Sequence, residues 1–263
     1  KIIFQPAEEQ AAGGRLIVEE GILDDVDAVF GLHCWPSLPV GEIAVKGGPA
    51  MASADFFRII VRGTGCHGAD PASGVDPIVI AGHILIALQS VVSRETNPWE
   101  PAVITVAKIQ AGHASNVVPE TAVMEGTFRT LNQVTRDHIF AAIPRIASLT
   151  AQAHRADADV EFDGEPYPFL NNDPAMAEFV KDTVREVFGD AHLNVPAHAS
   201  MASEDFAFYL QKVPGAFLFL GNNPDPATNY PGLHSPHFNF CDEALPYGIE
   251  LLSSVATRFL NTP

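Results

Sequence analysis

Residues 2–9 read Ile2-Ile3-Phe4-Gln5-Pro6-Ala7-Glu8-Glu9, and the interpretation of the whole chain depends on this stretch. The apolar run at 2–4 predicts a short buried strand that ends at Pro6, because proline has no N–H to donate to a sheet. Two adjacent carboxylates then open a segment predicted to become a helix. Since neighbouring residues at such a junction point in different directions, one of Glu8 and Glu9 can hold a metal ion while the other faces a bound water as general base. The alternative is that acidic residues simply favour a helix N-terminus.

Length and charge limit the classes of protein to consider. With 263 residues, the chain can bury the core of one large or two small domains. Its 32 acidic residues outnumber its 15 Lys and Arg residues, which gives a net charge of −17. We therefore expect neither nucleic acid nor an anionic membrane as a partner. No apolar run is predicted to be long enough to cross a bilayer, and no signal peptide is expected. Three widely spaced cysteines, Cys34, Cys66 and Cys241, indicate a reducing cytoplasm.

A second polar residue at a predicted strand end is His33. Residues 15–20 predict a short helix that ends at Gly21, and residues 26–32 predict a second strand with His33 at its carboxyl end. Open α/β sheets collect their ligands at the carboxyl ends of strands, so Glu8, Glu9 and His33 are expected to form one site. A histidine after a strand can also be an ordinary turn residue. Cys34 is interpreted as a small packing residue rather than a ligand.

The middle of the chain predicts a separate, inserted domain. Its elements are a strand at 55–63, a long helix capped by Asp76 through residue 92, strands at 102–110 and 121–131, a helix at 135–154 and a strand at 159–162. The order β-α-β-β-α-β is that of a ferredoxin-like α+β module. From residue 166 the first domain resumes, with helices capped by Asp173, Ser203 and Asp242 and a fully apolar strand at 215–221. The predicted fold class is α/β, with domain bounds at 1–52, 53–163 and 164–263.

Nine short motifs, in one order along nearly the whole chain, resemble the metallo-amidohydrolase and carboxypeptidase family that contains aminoacylase, hippurate hydrolase and the plant auxin-conjugate hydrolases. The motifs are Phe4-Gln5-Pro6-Ala7-Glu8-Glu9, Gly31-Leu32-His33, Gly48-Pro49-Ala50-Met51-Ala52-Ser53, Gly65-Cys66-His67-Gly68-Ala69, Asp76-Pro77, Asn116-Val117-Val118-Pro119, Gly126-Thr127-Phe128-Arg129, Ser203-Glu204-Asp205-Phe206 and Leu233-His234-Ser235-Pro236. The resemblance implies a catalytic domain with a mixed central sheet flanked by helices, incomplete in this chain, plus an inserted lid and dimerisation domain.

The resemblance also implies an activity and a metal centre. The activity is metal-dependent hydrolysis of N-acyl amino acids, such as hippurate, to a carboxylic acid and a free amino acid. A dipeptidase or carboxypeptidase of the same family is the alternative. Two divalent ions of zinc, manganese, nickel or cobalt are implied, with Glu8 as the catalytic base. Glu9, His33 and His234 match metal ligands.

Three residues of the inserted domain match substrate-binding positions of the family. His67 and Asn116 match groups that reach the substrate carbonyl. Arg129 could pair with the terminal carboxylate of the substrate. In the family, this domain joins two subunits, so the resemblance implies a homodimer in which His67 serves the site of the partner subunit.

The family's first metal motif, a Cys-Gly-His-Asp-x-His cluster, is not found in these residues, and we expect the chain to be the C-terminal part of a longer protein. Three ligands are then left for two metals, whereas zinc or manganese needs four or more donors. We therefore expect a partly filled or empty site in this chain alone. The alternative for the chain as given is a non-catalytic fragment for dimerisation and recognition. The acyl group, the amino-acid preference and the metal are left open.

Overall fold

The structure is a computed structural model, and it describes residues 1–227 and 230–261. In the described residues, the strands are β1 (Val29–Pro39), β2 (Ile43–Ala44), β3 (Gly48–Met51), β4 (Ala54–Arg62), β5 (Cys66–His67), β6 (Ala102–Ala111), β7 (Val117–Val118), β8 (Thr121–Thr130), β9 (Asp157–Tyr167), β10 (Leu170–Asn172), β11 (Leu193–Asn194) and β12 (Gly215–Asn223). The α-helices there are α1 (Glu8–Ala11), α2 (Gly13–Glu19), α3 (Pro77–Ser90), α4 (Gln133–Ala153), α5 (Pro174–Phe188), α6 (Ala207–Lys212) and α7 (Leu245–Asn261).

The chain forms two compact units, each made from separate stretches of sequence. The first unit contains Lys1–Met51, Leu170–Ser200 and Glu204–Pro263. The second contains Ala52–Phe169 and the short stretch Met201–Ser203.

A mixed four-stranded sheet, in the order β1-β12-β2-β11, lies at the centre of the first unit. Strands β1 and β12 are parallel, β12 and β2 are antiparallel, and β2 and β11 are parallel. Strand β12 is buried along its whole length, as its continuous apolar sequence predicts. Leu218 and Leu220 belong to a core cluster that includes residues of α5 and α7, whereas Phe217 and Phe219 belong to a second cluster with residues of α6. The predicted mixed sheet with flanking helices is therefore confirmed.

The second unit is built around an antiparallel sheet in the order β6-β8-β4-β9. The four strands of this sheet and the two long helices follow one another along the chain as β4, α3, β6, β8, α4 and β9, which confirms the ferredoxin-like module. Residues of α3 and α4 pack with those of β4 and β8 in a single core cluster. The predicted start of α3 is also confirmed, because the side chain of Asp76 accepts a hydrogen bond of 2.8 Å from the backbone N–H of Ile78.

One expectation about apolar runs is wrong. Residues Pro77–Glu95, which are α3 and its π-helical continuation, are long and apolar enough to cross a bilayer by length and composition. One side of this helix packs into the core of the second unit through residues such as Ile80, Ile84 and Leu88. A helix that packs on a sheet in this way must be apolar on that side, which accounts for much of its composition.

Three local predictions are corrected. No strand forms at residues 2–4: Ile2 is 85% and Phe4 is 89% exposed, and in the described part of the chain no strand pairs with them. His33 lies inside β1, opposite Phe219, rather than after its end, because the pairing with β12 continues past it. Ser203 does not cap a helix, since α6 begins four residues later and the Ser203 hydroxyl bonds Arg129 instead.

Candidate active site

A single helical turn, α1, carries the two adjacent carboxylates. It lies between two alanines in the left-handed region of backbone conformation, Ala7 at φ 55° and Ala12 at φ 47°. Such residues cost about 1–3 kcal/mol each and persist where the surrounding structure holds them in place. The turn has no side-chain cap. A helix of four residues aligns few peptide dipoles, so attraction to the helix N-terminus explains little of why Glu8 and Glu9 stand here.

The two carboxylates have different surroundings, as their adjacency predicts. Glu8 is half-buried, and its carboxylate lies within 4.8 Å of those of Glu204 and Asp205. The side chain of Glu9 is 72% exposed, and its Oε1 lies 3.9 Å from Nδ1 of His234. Glu8 therefore belongs to a carboxyl cluster, and Glu9 belongs to a pair with a histidine.

The pKa values of Glu8 and Glu204 are raised. Burial raises the pKa of Glu204 to about 8, and the nearby charge of Glu8 adds to this effect. Burial also raises the pKa of Glu8, and the charge of Asp205 acts in the same direction. The Asp205 backbone N–H opposes this by donating to the Glu8 carboxylate. Around neutral pH, the metal-free cluster therefore retains a proton on Glu204. A raised pKa suits a general base, since it strengthens proton abstraction.

The ring of His33 is oriented for metal binding. Its Nδ1 lies 2.7 Å from the carbonyl oxygen of Cys34. A carbonyl oxygen can only accept, so Nδ1 carries the proton and the Nε2 lone pair is left for a metal ion, as is usual for metal-bound histidines. The interpretation of Cys34 as a packing residue is consistent with burial, which raises the pKa of its thiol.

His234 comes from the loop after β12, where it adopts a left-handed backbone conformation at φ 62°. Two consecutive asparagines at the end of β12 hold this loop. Asn223 accepts a hydrogen bond of 3.0 Å from the backbone N–H of Asp225 at the near end of the loop. Asn222, which is fully buried, accepts one of 3.0 Å from the backbone N–H of Cys241 at the far end. No role was predicted for these asparagines from the sequence.

Glu9, His33 and His234 line one cavity of about 420 Å³, so the structure brings together the three predicted ligands. Glu9 and His33 also line a larger adjoining cavity of about 1520 Å³, which contains Glu8 and Glu204. Two imidazoles and one carboxylate suit a divalent first-row metal such as zinc, manganese, cobalt or nickel. The donor types of Glu9, His33 and His234 thus fit a metal ion, whereas the described side chains whose ligand atoms all lie within 4.8 Å of one another are Glu8, Glu204 and Asp205. Both oxygens of Asp205 accept hydrogen bonds, from the side-chain amide of Gln5 and from the backbone N–H of Gly14.

His67 and Asn116 lie together in the second unit, on the ribbon formed by β5 and β7. His67 pairs with Val117, and the Asn116 carbonyl oxygen accepts a hydrogen bond of 2.8 Å from Gly68. Nδ1 of His67 accepts from the backbone N–H of Ala69 at 3.0 Å. The neutral ring therefore carries its proton on Nε2, which can donate to a substrate oxygen. The roles of both residues stay predictions.

Arg129 lies on β8 of the second unit. Strand β8 belongs to the four-stranded sheet, whereas the ribbon of β5 and β7 is a separate sheet. One guanidinium nitrogen donates to the Ser203 hydroxyl at 2.8 Å. Burial lowers the pKa of Arg129, and the nearby Asp55 carboxylate opposes this shift. Its predicted pairing with a substrate carboxylate stays a prediction.

The Ser203-Glu204-Asp205-Phe206 motif was recognised in the sequence, but no role was predicted for Glu204 and Asp205. The structure places both beside Glu8 and buries both, with 7% and 0% exposure. The signal available in the sequence was that Glu204 and Asp205 form a second pair of adjacent acidic residues, followed by the aromatic Phe206. Such a pair is unusual in an apolar context, because buried carboxylates need bonded partners.

The chain is similar to known proteins of one family. A family model described as Peptidase family M20/M25/M40 matches residues 1–258. The chain is 39% identical over 263 residues to N-acetylcysteine deacetylase of Bacillus subtilis, covering all of the chain (100%) and 67% of that protein. It is 37% identical over 262 residues to IAA-amino acid hydrolase ILR1-like 4 of Arabidopsis thaliana, covering 98% of the chain and 59% of that protein.

A solved structure is similar as well. It is the crystal structure of a Bacillus subtilis protein described as a dinuclear metal binding peptidase from the M20 family, with a TM-score of 0.81 and 35% identity. The match covers 99% of this chain and 65% of that one. The chain thus spans about three fifths to two thirds of the length of these relatives.

Proposed function

Because this chain belongs to peptidase family M20/M25/M40, we propose that the protein containing it is a metal-dependent hydrolase of the amide bond in N-acyl amino acids. The observation that carries the proposal is the convergence of Glu9, His33 and His234 on one cavity, with Glu8 turned into the adjoining one. One relative is named for deacetylating N-acetylcysteine and another for hydrolysing IAA-amino acids, which supports an N-acyl amino acid as substrate.

The proposed metal centre uses two divalent ions, of which this chain's residues supply part of the ligand set. Glu9, His33 and His234 would hold metal through one carboxylate and two imidazole nitrogens. When bound, divalent ions polarise the amide carbonyl and lower the pKa of water towards neutrality. Zinc, manganese, nickel and cobalt all accept this donor set, and loading experiments with each ion distinguish them.

Glu8 is the proposed general base. Its carboxylate takes a proton from the attacking water and returns that proton to the amide nitrogen as the amine leaves. The Nε2–H of His67 and the side-chain amide of Asn116 would donate to the substrate carbonyl oxygen, where negative charge develops. We propose that Arg129 pairs with the substrate carboxylate, for which its remaining N–H groups are suited.

Two further parts of the proposal concern assembly and location. Strand β6 pairs only with β8 in the described residues, and it exposes Val103 and Ile109, so its free edge can pair with a second copy. We therefore propose a homodimer through residues 53–162. Cys34, Cys66 and Cys241 are all free thiols, which supports a cytoplasmic location.

The test is a substrate panel with the full-length enzyme that contains this chain. N-acetyl, N-benzoyl and indole-acetyl amino acids are compared with dipeptides, before and after metal removal and with each metal restored. Metal-dependent release of free amino acid from one N-acyl class supports the proposal. Turnover of dipeptides alone would instead indicate a peptidase, and no turnover with full metal occupancy would overturn the hydrolase assignment.

A further inference from the structure

The turn that carries Glu8 and Glu9 lies in a strained segment of backbone. Residues 5–14 contain a helical turn without a side-chain cap, between two alanines in left-handed conformation. The backbone also folds tightly on itself, since a Cβ atom on Gly13 would lie 1.8 Å from the carbonyl oxygen of Pro6. A strained backbone of this kind keeps its shape only when contacts from elsewhere fix it.

Asp205 supplies such contacts at both ends of the segment. The side-chain amide of Gln5 donates to its two carboxylate oxygens at 2.8 and 3.0 Å. The backbone N–H of Gly14 donates to Oδ2 at 2.8 Å. Asp205 is fully buried, at 0% exposure, and both oxygens of its carboxylate accept hydrogen bonds.

Two further bonds extend this network. The backbone N–H of Asp205 donates to the carboxylate of Glu8 itself. The hydroxyl of Tyr209, one turn along α6, donates to Oε1 of Gln5 at 2.5 Å and so orients the amide towards Asp205. One buried residue thus bonds the first residue of the segment, the last residue of the segment and the proposed base between them.

We propose that Asp205 is a positioning residue that fixes the segment of residues 5–14 and aims Glu8 for proton transfer. The proposal rests on the proposed role of Glu8 as general base. Asp205 itself does not touch substrate or metal in this scheme. Proton transfer depends on placement, and a displacement of about 1 Å can cost about 10²-fold in rate.

Reversing the polarity of the Gln5–Asp205 pair tests the proposal in the full-length enzyme. Asp205→Asn sets two amide NH₂ groups against each other, and kcat is expected to fall about 10²-fold with KM changed less than about twofold. Gln5→Glu sets two carboxylates against each other, with a similar loss. In the Gln5→Glu/Asp205→Asn double variant, the introduced amide can donate to the introduced carboxylate and still accept from Gly14. At least about a tenfold recovery of kcat over Asp205→Asn is therefore expected.

A second readout does not depend on activity. Hydrogen exchange of the metal-free protein, followed by mass spectrometry, reports on peptides that cover residues 5–14. Exchange there is expected to become about tenfold faster in Asp205→Asn and to slow again in the double variant. Unchanged exchange and unchanged kcat in folded Asp205→Asn would overturn the proposal, as would a double variant no better than the singles.

The matched control is Asn172→Ala. Asn172 is also fully buried in the first unit, where its side chain donates to the carbonyl oxygens of Lys46 and Phe217 and accepts from the backbone N–H of Phe217. This variant should lower the melting temperature without changing kcat or exchange in residues 5–14. An equal effect of Asn172→Ala on both readouts would reduce Asp205 to a general structural role and overturn the inference.

If Asp205→Asn fails to fold, the Tyr209→Phe variant tests the proposal instead. It removes only the hydroxyl that orients Gln5, and it should speed exchange in residues 5–14 and lower kcat about threefold to tenfold. No effect on either readout would overturn the proposal. If the wild-type enzyme hydrolyses no N-acyl amino acid, the proposed function fails, while the exchange measurement still tests the positioning of the segment.

Discussion

Oε1 of Glu9 lies 3.9 Å from Nδ1 of His234, although one residue belongs to α1 and the other to the loop after β12. His33, from β1, lines the same cavity. Three elements far apart in sequence therefore direct one carboxylate and two imidazoles to one place. Metal ligands are arranged in this way, whereas an acidic helix N-terminus would need no histidine beside it.

His234→Ala in the full-length enzyme should weaken affinity for Zn²⁺ or Mn²⁺ more than about 100-fold, because loss of a ligand exceeds the 10–100-fold cost of losing its outer-shell partner. Isothermal titration calorimetry of the metal-depleted protein measures the change. The matched control is His192→Ala. Nδ1 of His192 lies 2.6 Å from the carbonyl oxygen of Gly41, so it resembles His33 but lies outside the cavity. Equal affinities in His234→Ala and His192→Ala would remove His234 from the ligand set.

Glu8→Gln should lower kcat by about 10²–10⁴ while the bound metal stays at the wild-type level. The reason is that Glu8 lies in the cluster with Glu204 and Asp205 and not among the residues that line the smaller cavity. Turnover of an N-acyl amino acid and elemental analysis of the same sample provide the two values. Parallel loss of metal and turnover would mean that Glu8 is the ligand and Glu9 the base.

Local signals in the sequence predicted most of the fold. Asp76 and Asp173 each precede a proline and cap a helix, at 2.8 Å and 3.0 Å, because such capping needs only residues three or fewer positions apart. The strand at residues 2–4 was predicted from composition alone and does not form. A strand needs a neighbouring strand to pair with its backbone N–H and C=O groups, and the composition of a segment does not show whether such a neighbour exists.

The site was predicted in part for the same reason. Strand-end positions suggested Glu9 and His33, and the family motif suggested His234; the three line one cavity, and their role as ligands stays a prediction. The contacts of Asp205 were not predicted, because its partner Gln5 lies 200 positions away and no local pattern reports that bond. Buried polar side chains such as Asp205 can be recognised from their hydrogen-bond partners only once a structure is available.

The stability of the metal-free protein should fall as the pH rises from about 4.5 to about 8. Burial holds the pKa of Glu204 near 8, above its ordinary 4.5, so within this window the folded protein keeps a proton that the unfolded chain releases. Raising the pH therefore favours unfolding, by at most about 1.4 kcal/mol per pH unit from this group. Melting temperatures measured across the window check the slope.

The corresponding variant is Glu204→Gln, which cannot titrate. The difference in melting temperature between wild type and variant should change with pH from 4.5 to 8 in favour of the variant. Carboxylates outside the cluster contribute equally to both proteins, so the difference reports on Glu204 and on its coupling to Glu8. A difference that is constant over this window would show that Glu204 keeps its ordinary pKa in the folded state.

In the second unit, breaking a buried ion pair is expected to lower the free energy of unfolding more than breaking an exposed ion pair. Arg136 donates to both oxygens of Asp55, at 2.9 and 2.6 Å, and Asp55 is 1% exposed. Arg136→Ala should cost about 3–5 kcal/mol in the free energy of unfolding, because it leaves a buried carboxylate unpaired. Lys108→Ala, which breaks the exposed pair with Glu125, should cost less than about 1 kcal/mol. Urea unfolding monitored by circular dichroism compares the two, and similar costs would contradict the prediction.

The last prediction concerns the dimer and the ownership of His67. Strand β6 leaves one edge unpaired in the described residues and exposes Val103 and Ile109 on a long strand, an arrangement that favours pairing with a second copy. If that dimer forms and His67 serves the partner's site, His67→Ala and Glu8→Ala should each be inactive alone. Heterodimers of the two variants should regain activity at one of their two sites, the one that combines an intact Glu8 with an intact His67 from the other chain.

Separately tagged subunits, purified as heterodimers, make the measurement direct. The control pairs Glu8→Ala with the Glu8→Ala/His67→Ala double variant, which has no complete site in any arrangement and should stay inactive. Recovery only in the first pair requires that one site draws residues from two chains, since neither variant chain holds both groups. Absence of recovery in confirmed heterodimers would place His67 in its own subunit's site or deny it a catalytic role. A full-length protein that sediments as a monomer would remove the premise, because β6 would then have no second chain to pair with.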